Sequence, residues 1–372
     1  MKVRIHTLFQ YLLDTTTAEP EAILGFSLSQ SPTLGDFLAD LDPDLSLDWN
    51  QKSFLGLPAL RDAVLAQAGL SHLSPDHVLI TAGAAEANYL ALMQTVQPGD
   101  RIVIETPGWP QAAVLGQAIG AEIVRVQRSE GDGWQLPLQA LSEAVTPNTR
   151  LIFLTNPNNP TGQLMTADDL AQIIAIADRV GAWLLVDEVY AGLEWTGTRA
   201  PSIAGLSPHG ITTGSVSKAL GLQGLRTGWM ICQDKSMIMD AVILRENSSE
   251  IMNILGEVIA EIALRTDRLA AALARARADA ITNLDKLDNF IASQPRLSWV
   301  RPQAGLIGLA RLDADIGAEA FALRLLAPPY RTFLLPGTAY DQPAHIRLGV
   351  GGGAAVNLDL GLSRLAALLA TL

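Results

Sequence analysis

The stretch Thr212 to Trp229 reads TTGSVSKALGLQGLRTGW and links two strand-like runs, GITTGSVS and TGWMICQ, through glycines and small residues. Within it stand one lysine, Lys218, and one arginine, Arg226, eight residues further on, in otherwise uncharged surroundings. Solvated surface charge needs no such setting; a bound phosphate beside a reactive amine would. A desolvated lysine loses proton affinity and becomes a usable amine for a Schiff base. Arg226 offers a planar, permanently charged fork suited to phosphate, and Ser215 and Ser217 add two hydroxyls. Taken alone, the pair also reads as two solvated side chains.

Outward from that stretch, short apolar runs alternate with helical patterns from about residue 78 to 232. HVLITAG precedes AAEANYLALMQTV, and DRIVIETP precedes PQAAVLGQAIG. EIVRVQ, TRLIFLTN, the helix TADDLAQIIAIADRVG and WLLVDEVY follow. This rhythm predicts an α/β fold with a mostly parallel sheet wrapped by helices. LIFLTN and WLLVDEVY are almost continuously apolar, as strands buried on both faces are. Thr166 is the expected N-cap of the helix that follows it, and Gly181 its expected stop. After Trp229 a helical region is predicted over Lys235 to Ser293, without a strong interior breaker. RLSWV, GLIGLARL, AEAFALRLL, TFLLPG, HIRLGV and LDLGLSRLAALLATL then predict a smaller α+β domain, which the N-terminal segment joins. The Gly-rich GVGGGAAVN has no lysine and reads as a turn. The expected boundaries are 1–45 and 271–372 for the small domain and 46–270 for the large one.

The bulk composition limits the function classes. At 372 residues with 49% hydrophobic and 17% charged, the chain can bury a large core and is long enough for two domains. A net charge of −12 and the lack of any Lys/Arg cluster argue against nucleic-acid binding. One cysteine, Cys232, allows no internal disulfide, and five scattered histidines make a Cys/His zinc site improbable. No metal is expected. MKVRIHTLFQYLLDTTTAEPEA reads as an ordinary helix, and no run approaches the ~18 apolar residues of a membrane span. A soluble cytoplasmic protein is expected.

Two other stretches add weight to Lys218. VDEVYAGL puts Asp187 at the end of an apolar strand with Tyr190 three residues on. A carboxylate there needs a cationic or hydrogen-bonded partner, either a distant arginine or a protonated ring nitrogen. LTNPNNPTGQL places two Asn-Pro pairs and a Thr-Gly between a strand and a helix, a sharp turn at a sheet edge in which Asn159 could present its amide to a ligand.

In this order, NPNNPTG, DEVY, SVSKALGLQGLRTGW and HIRLGV closely resemble the class I/II aminotransferase family of fold-type I, pyridoxal-phosphate (PLP) enzymes. The resemblance runs from about Phe54 to Leu348. It implies the PLP transferase fold, with a seven-stranded sheet in the large domain, and pyridoxal 5'-phosphate as cofactor. It implies that Lys218 forms the Schiff base and shuttles the proton, that Asp187 partners the pyridine nitrogen, and that Tyr190 and Asn159 bind the ring hydroxyl. Ser215, Ser217 and Arg226 are implied as phosphate ligands. So are Gly83, Ala84 and Ala85 of TAGAAEANYL, where a strand turns into a helix whose N-terminus favours an anion. Trp109 in ETPGWPQ is implied to stack on the cofactor ring, and Arg347 in HIRLGV to clamp the substrate α-carboxylate. The partners implied are an amino acid, a 2-oxo acid and a second copy of the chain in a homodimer.

One departure concerns the helix start FLGLPALRDAV. Five residues before Gly56, where many relatives carry a tyrosine that reaches the partner's phosphate, this chain has Gln51, with Asn50 beside it. That loop is faintly similar to capreomycidine-synthase-like enzymes. ILRENSSEIMN occupies the segment that in this family often enters the neighbouring active site; Glu246 and Glu250, four apart in it, are expected to share a helix face, and one of them to face the site and favour a basic substrate side chain. The activity implied is transfer of the amino group of an L-α-amino acid to a 2-oxo acid. A PLP lyase, cyclase or amino-acid oxidase on the same residues is the alternative. A non-catalytic PLP-fold regulator would bring a DNA-binding module, for which the roughly 50 residues before the fold motifs, without a basic helix, give no expectation, and a Rossmann dehydrogenase lacks G-x-G-x-x-G and leaves Lys218 unexplained.

Overall fold

The computed structural model describes residues 2–48, 53–195, 198–353 and 357–372. Its large sheet has seven strands. In chain order they are β1 (Val78–Thr81), β2 (Arg101–Thr106), β3 (Glu122–Gln127), β4 (Thr149–Thr155), β5 (Trp183–Asp187), β6 (Gly210–Ser215) and β7 (Gly228–Cys232). They lie side by side as β1-β7-β6-β5-β4-β2-β3. All pairings are parallel except those of β7, which is antiparallel to both β1 and β6. The mostly parallel sheet predicted from the rhythm is therefore present.

Alternation along each strand sorts the core. Leu151, Phe153 and Leu185 face one side, with the helices Ala84–Thr95, Gln111–Ile119 and Lys235–Arg245. Ile152, Leu154, Leu184 and Val186 face the other, with the helices Leu138–Ala144 and Ala167–Asp178. Successive strand residues point to opposite faces, so a strand covered on both sides must be apolar at every position. Each such side chain contributes about 1.5–3 kcal/mol of burial. Thr166 caps Ala167–Asp178 reciprocally: its hydroxyl accepts from Asp169 N–H, and the Asp169 carboxylate accepts from the Thr166 backbone. Gly181, at φ +67°, turns the chain two residues beyond the cap at Arg179.

A second, four-stranded antiparallel sheet runs Leu335–Pro336, His345–Gly349, Ile307–Leu312, Leu297–Trp299. The helices Thr266–Ser293, Ala318–Leu326 and Leu358–Leu369 contribute to its core. The N-terminal segment belongs to the same packing. Ala22–Ile23 pairs in parallel with Thr332–Phe333. The helix Thr7–Asp14 is tied down by Tyr11, whose hydroxyl donates to Leu334 O at 2.9 Å.

The helical region predicted over Lys235–Ser293 is three helices, Lys235–Arg245, Ile254–Leu264 and Thr266–Ser293. Short polar side chains make the first break. Ser248 Oγ donates to Arg245 O at 3.1 Å, and the Asn253 amide oxygen accepts from Gly256 N–H and starts a new helix. Glu250 lies between them at φ +55°. Extended backbone at Arg265 makes the second break. Among the described residues no helix is long and apolar enough to cross a membrane.

Candidate active site

Because β1, β2, β4, β5 and β6 run in one direction, their carboxyl ends open on one edge of the sheet, where ligands of open α/β folds bind. A cavity of ≈ 350 Å³ lies there. Ala84, Ala85, Trp109, Asn159, Asp187, Tyr190, Ser215, Ser217, Lys218, Arg226 and Arg347 all line it. Residues from position 84 to position 347 of the chain thus converge.

Asp187 ends β5 and is buried. Its Oδ2 accepts from Asn88 Nδ2 at 2.9 Å and its Oδ1 from Val189 N–H at 3.2 Å. Asn88 is oriented in turn by Thr213, whose hydroxyl donates to Asn88 Oδ1 at 2.6 Å. Burial pushes the Asp187 carboxyl up to about 6, against the pull of those two hydrogen bonds and of the Lys218 charge. Lys218 follows β6 by three residues. Burial lowers its amine to about 8; the Arg347 charge acts in the same direction and Asp187 opposes it. Lys218 Nζ donates to Ser27 Oγ at 3.2 Å, and the Tyr190 hydroxyl donates to the same oxygen at 3.0 Å. Burial raises Tyr190 to about 12.

At one end of the cavity the chain leaves β1 and enters the helix Ala84–Thr95 through Gly83, at φ +82°. A Cβ at Gly83 would lie 2.6 Å from Arg226 Nη2. Only glycine lets the guanidinium come this close to the helix N-terminus, whose first N–H groups lack intrahelical partners. Arg226 itself sits at φ +51°, with Nη1 donating to Gln223 O at 3.2 Å. Among the described residues it forms no ion pair with a carboxylate. A guanidinium held only by backbone carbonyls, two hydroxyls and a helix N-terminus are the donor set a phosphate dianion needs.

At the other end Arg347 stands on the strand His345–Gly349, opposite Leu335 and Leu309. It is buried and, among the described residues, forms no ion pair with a carboxylate. Its Nε and Nη2 donate to Gly25 O at 3.2 and 2.8 Å, and Nη1 donates to Asn159 Oδ1 at 3.2 Å and to the Tyr340 hydroxyl. Every partner of this buried cation is neutral, so an anion entering beside it meets uncompensated charge. Asn159 is held in the turn that Asn158 closes by accepting from Thr161 N–H and Oγ1. Trp109 lines the wall between, with Phe9 edge-on at 6.2 Å.

The sequence reading missed Asn88, Ser27 and Thr155. Asn88 leaves a trace, as an amide whose neighbours one turn away, Ala84, Ala91 and Leu92, are apolar and buried with it. Ser27 leaves none, because its role comes from a loop that folds back from 191 residues away (218 − 27). Thr155 pairs across the sheet with Asp187, and its buried hydroxyl has no hydrogen-bond partner. The expectation that Glu246 and Glu250 share a helix face is corrected. The helix ends at Arg245, so the two share no helix face, and both are exposed and outside this chain's cavity. Asn50 and Gln51 lie outside the described residues.

Fold and cavity together define an open α/β enzyme built to hold a small phosphorylated ligand beside a buried amine. The family model for aminotransferase class I and II matches residues 52–365. The chain belongs to that family. It is similar to an aspartate aminotransferase of Musicola paradisiaca, 26% identical over 80% of this chain and 75% of that protein. A PLP-dependent aminotransferase of Streptococcus suis superposes with a TM-score of 0.89 at 28% identity, over 100% of this chain and 99% of that one. The PLP-dependent cyclase OrfR shares the fold, with a TM-score of 0.88 at 24% identity over 100% and 98% of the two chains.

Proposed function

We propose that this chain transfers the amino group of an L-α-amino acid to a 2-oxo acid, with pyridoxal 5'-phosphate held on Lys218. The observation that carries this reading is a partly buried lysine placed between a buried carboxylate and a buried arginine that forms no ion pair among the described residues. Family membership supports it.

The cofactor, when bound, draws electrons from the substrate α-carbon and so acidifies its C–H bond. Asp187, fixed by Asn88 and Val189, would hold the protonated ring nitrogen. Tyr190 and Asn159 would hold the ring hydroxyl, and Trp109 would cover the ring. Ser215, Ser217, Arg226 and the backbone N–H groups of Gly83, Ala84 and Ala85 would take the phosphate. Arg347 binds the substrate carboxylate and fixes which α-carbon bond stands across the ring. Lys218, its proton affinity lowered by burial, would accept the proton from the substrate Cα and return it on the cofactor side.

The test is an incubation with amino acid, 2-oxo acid and cofactor. Stoichiometric appearance of a new amino acid, dependent on the 2-oxo acid, is expected. Release of ammonia or uptake of oxygen without it would instead make the enzyme a lyase or an oxidase.

We further infer a homodimer working in the cytoplasm, with a large unit of residues 46–270 and a smaller one of 1–45 and 271–372. Leu34, Leu38 and Leu47 are exposed ahead of the helix Pro58–Ala68, and Met239 and Ile243 lie exposed four apart on one helix. Open apolar surface of that kind supports a partner. The pairing of Ala22–Ile23 with Thr332–Phe333 supports the division. Cys232, buried and unpaired, suits a reducing compartment.

A further inference from the structure

At the ends of β2 and β3 lies a buried ion pair that the proposed chemistry does not use. Glu105, in β2, and Arg128, one residue past β3, are 3% and 1% exposed, and neither lines the cavity. Glu105 Oε2 accepts from Arg128 Nε at 2.8 Å and from its Nη2 at 2.6 Å. Arg128 Nη1 donates to Trp134 O at 2.6 Å, and the Arg128 backbone N–H donates to Thr106 O at 2.7 Å. A forked guanidinium held in this way sets the orientation of the carboxylate it binds. The other oxygen, Glu105 Oε1, accepts from the Thr155 backbone N–H at 2.7 Å. The register of β2 with β4 runs as far as Ile104 opposite Phe153, so the Glu105 side chain takes over where the ladder stops. On the other edge of β4, Thr155 lies opposite Asp187, and Asn156 N–H donates to Asp187 O at 3.0 Å. The turn that follows is tied back beside Glu105, with Asn158 Nδ2 donating to Pro107 O at 3.3 Å. Its next residue is Asn159, which presents its amide oxygen to Arg347 Nη1 at 3.2 Å.

We propose that Glu105 and Arg128 are a positioning pair, which holds the end of β4 so that Asn159 stands correctly between the cofactor ring and Arg347. The proposal rests on the aminotransferase reading and adds to it two residues that touch neither cofactor nor substrate. A buried ion pair contributes little to stability, because desolvation of both charges offsets their attraction, and apolar groups of similar volume often serve a fold as well. Apolar groups at 105 and 128 could not, however, accept from Thr155 N–H. A donor left without an acceptor in the interior is costly, and a strand end that moves to find one carries Asn159 with it. A displacement of about 1 Å in a group that positions reactants can cost 10²-fold in rate. What the pair supplies is therefore direction, a bond aimed at the last residue of β4, from which the Asn159 turn departs.

The experiment compares the unsubstituted protein with the double variant Glu105→Leu/Arg128→Met, each with and without Asn159→Ala. Two quantities are read: the dissociation constant of pyridoxal phosphate, by titrating the cofactor-free protein, and kcat/KM for amino transfer. The double variant should unfold within about 5 °C of the unsubstituted protein, yet both quantities should worsen by about tenfold or more. With Asn159→Ala already present, loss of the pair should cost less than about threefold, because the residue it positions is gone. An equal loss in both backgrounds would make the pair a general support of the fold and overturn the proposal, as would no loss in either. Should the double variant fail to fold, Glu105→Gln decides. It keeps an oxygen for Thr155 N–H, so its cofactor affinity should stay within about threefold of the unsubstituted protein, and a loss of about tenfold would overturn the proposal. If the unsubstituted protein captures no cofactor on Lys218, the aminotransferase reading itself has failed, and the proposal with it.

Discussion

On one side of the cavity the ends of β1, β4, β5 and β6 deliver Gly83, Thr155, Asp187 and Ser215, and the loops beyond deliver Trp109, Lys218 and Arg226. On the other side a short helix, an irregular segment and one strand edge deliver Leu8, Phe9, Leu12, Phe26 and Leu335. The sheet side is polar, its Asp187–Asn88–Thr213 chain fully hydrogen-bonded, and it stands on a rigid core. The helix side is apolar and held by a few contacts, such as Tyr11 to Leu334. The contrast teaches a division of labour. Groups that need fixed charges stand at strand ends and the loops beyond them, while the facing apolar wall is built from elements outside the large sheet.

Substitutions on the sheet side should therefore act on rate, and the largest effect belongs to Asp187→Asn. Loss of its charge should lower kcat/KM by about 10³-fold or more, as removal of a preorganised charge at a reacting centre does. It should also change the pH profile of cofactor capture by the cofactor-free protein. The Lys218 amine titrates at about 8, below its ordinary 10.5, and only the neutral form captures the aldehyde. The capture rate should rise tenfold per pH unit below 8 and level off above it. Asp187 pulls Lys218 upward, so in Asp187→Asn the levelling point moves to lower pH. A shift to higher pH would show that the two charges do not face each other.

Arg347→Leu comes next. It sits where the two sides meet, and its loss removes the anchor for every α-amino acid alike. A fall in kcat/KM of about 10²-fold is expected, with the ranking among amino acids retained. A changed ranking would mean that Arg347 reads the side chain and would erase the division between the walls. Asn88→Ala is the mildest. It leaves Asp187 with Val189 N–H and removes one hydrogen bond to a charged group, worth about 1.5–3 kcal/mol and thus tenfold or somewhat more in kcat. Its expected signature is a displaced pH optimum with unaltered preference among substrates.

The same contrast explains what the sequence disclosed. Strands buried on two faces must be apolar throughout, so β4 and β5 were legible as LIFLT and WLLVD, and with them the parallel sheet. Lys218, Asp187 and Arg347 stood out because charge is conspicuous in apolar or small-residue surroundings. Ser27 and the leucines of the first helix could not stand out. A serine in a loop and an amphipathic helix are the commonest of patterns, and their place at the cavity comes from tertiary folding over long stretches of chain. The breaks near Ser248 and Asn253 were missed for a local reason, since side-chain hydrogen bonds there compete with the helix in a region without glycine-proline punctuation.

The most direct test of the account is reduction of the cofactor-loaded protein with borohydride, followed by peptide mapping. A stable pyridoxyl-phosphate mass on the peptide containing Lys218, absent from Lys218→Ala, is the predicted result. Label on any other lysine, or equal label in Lys218→Ala, would contradict it.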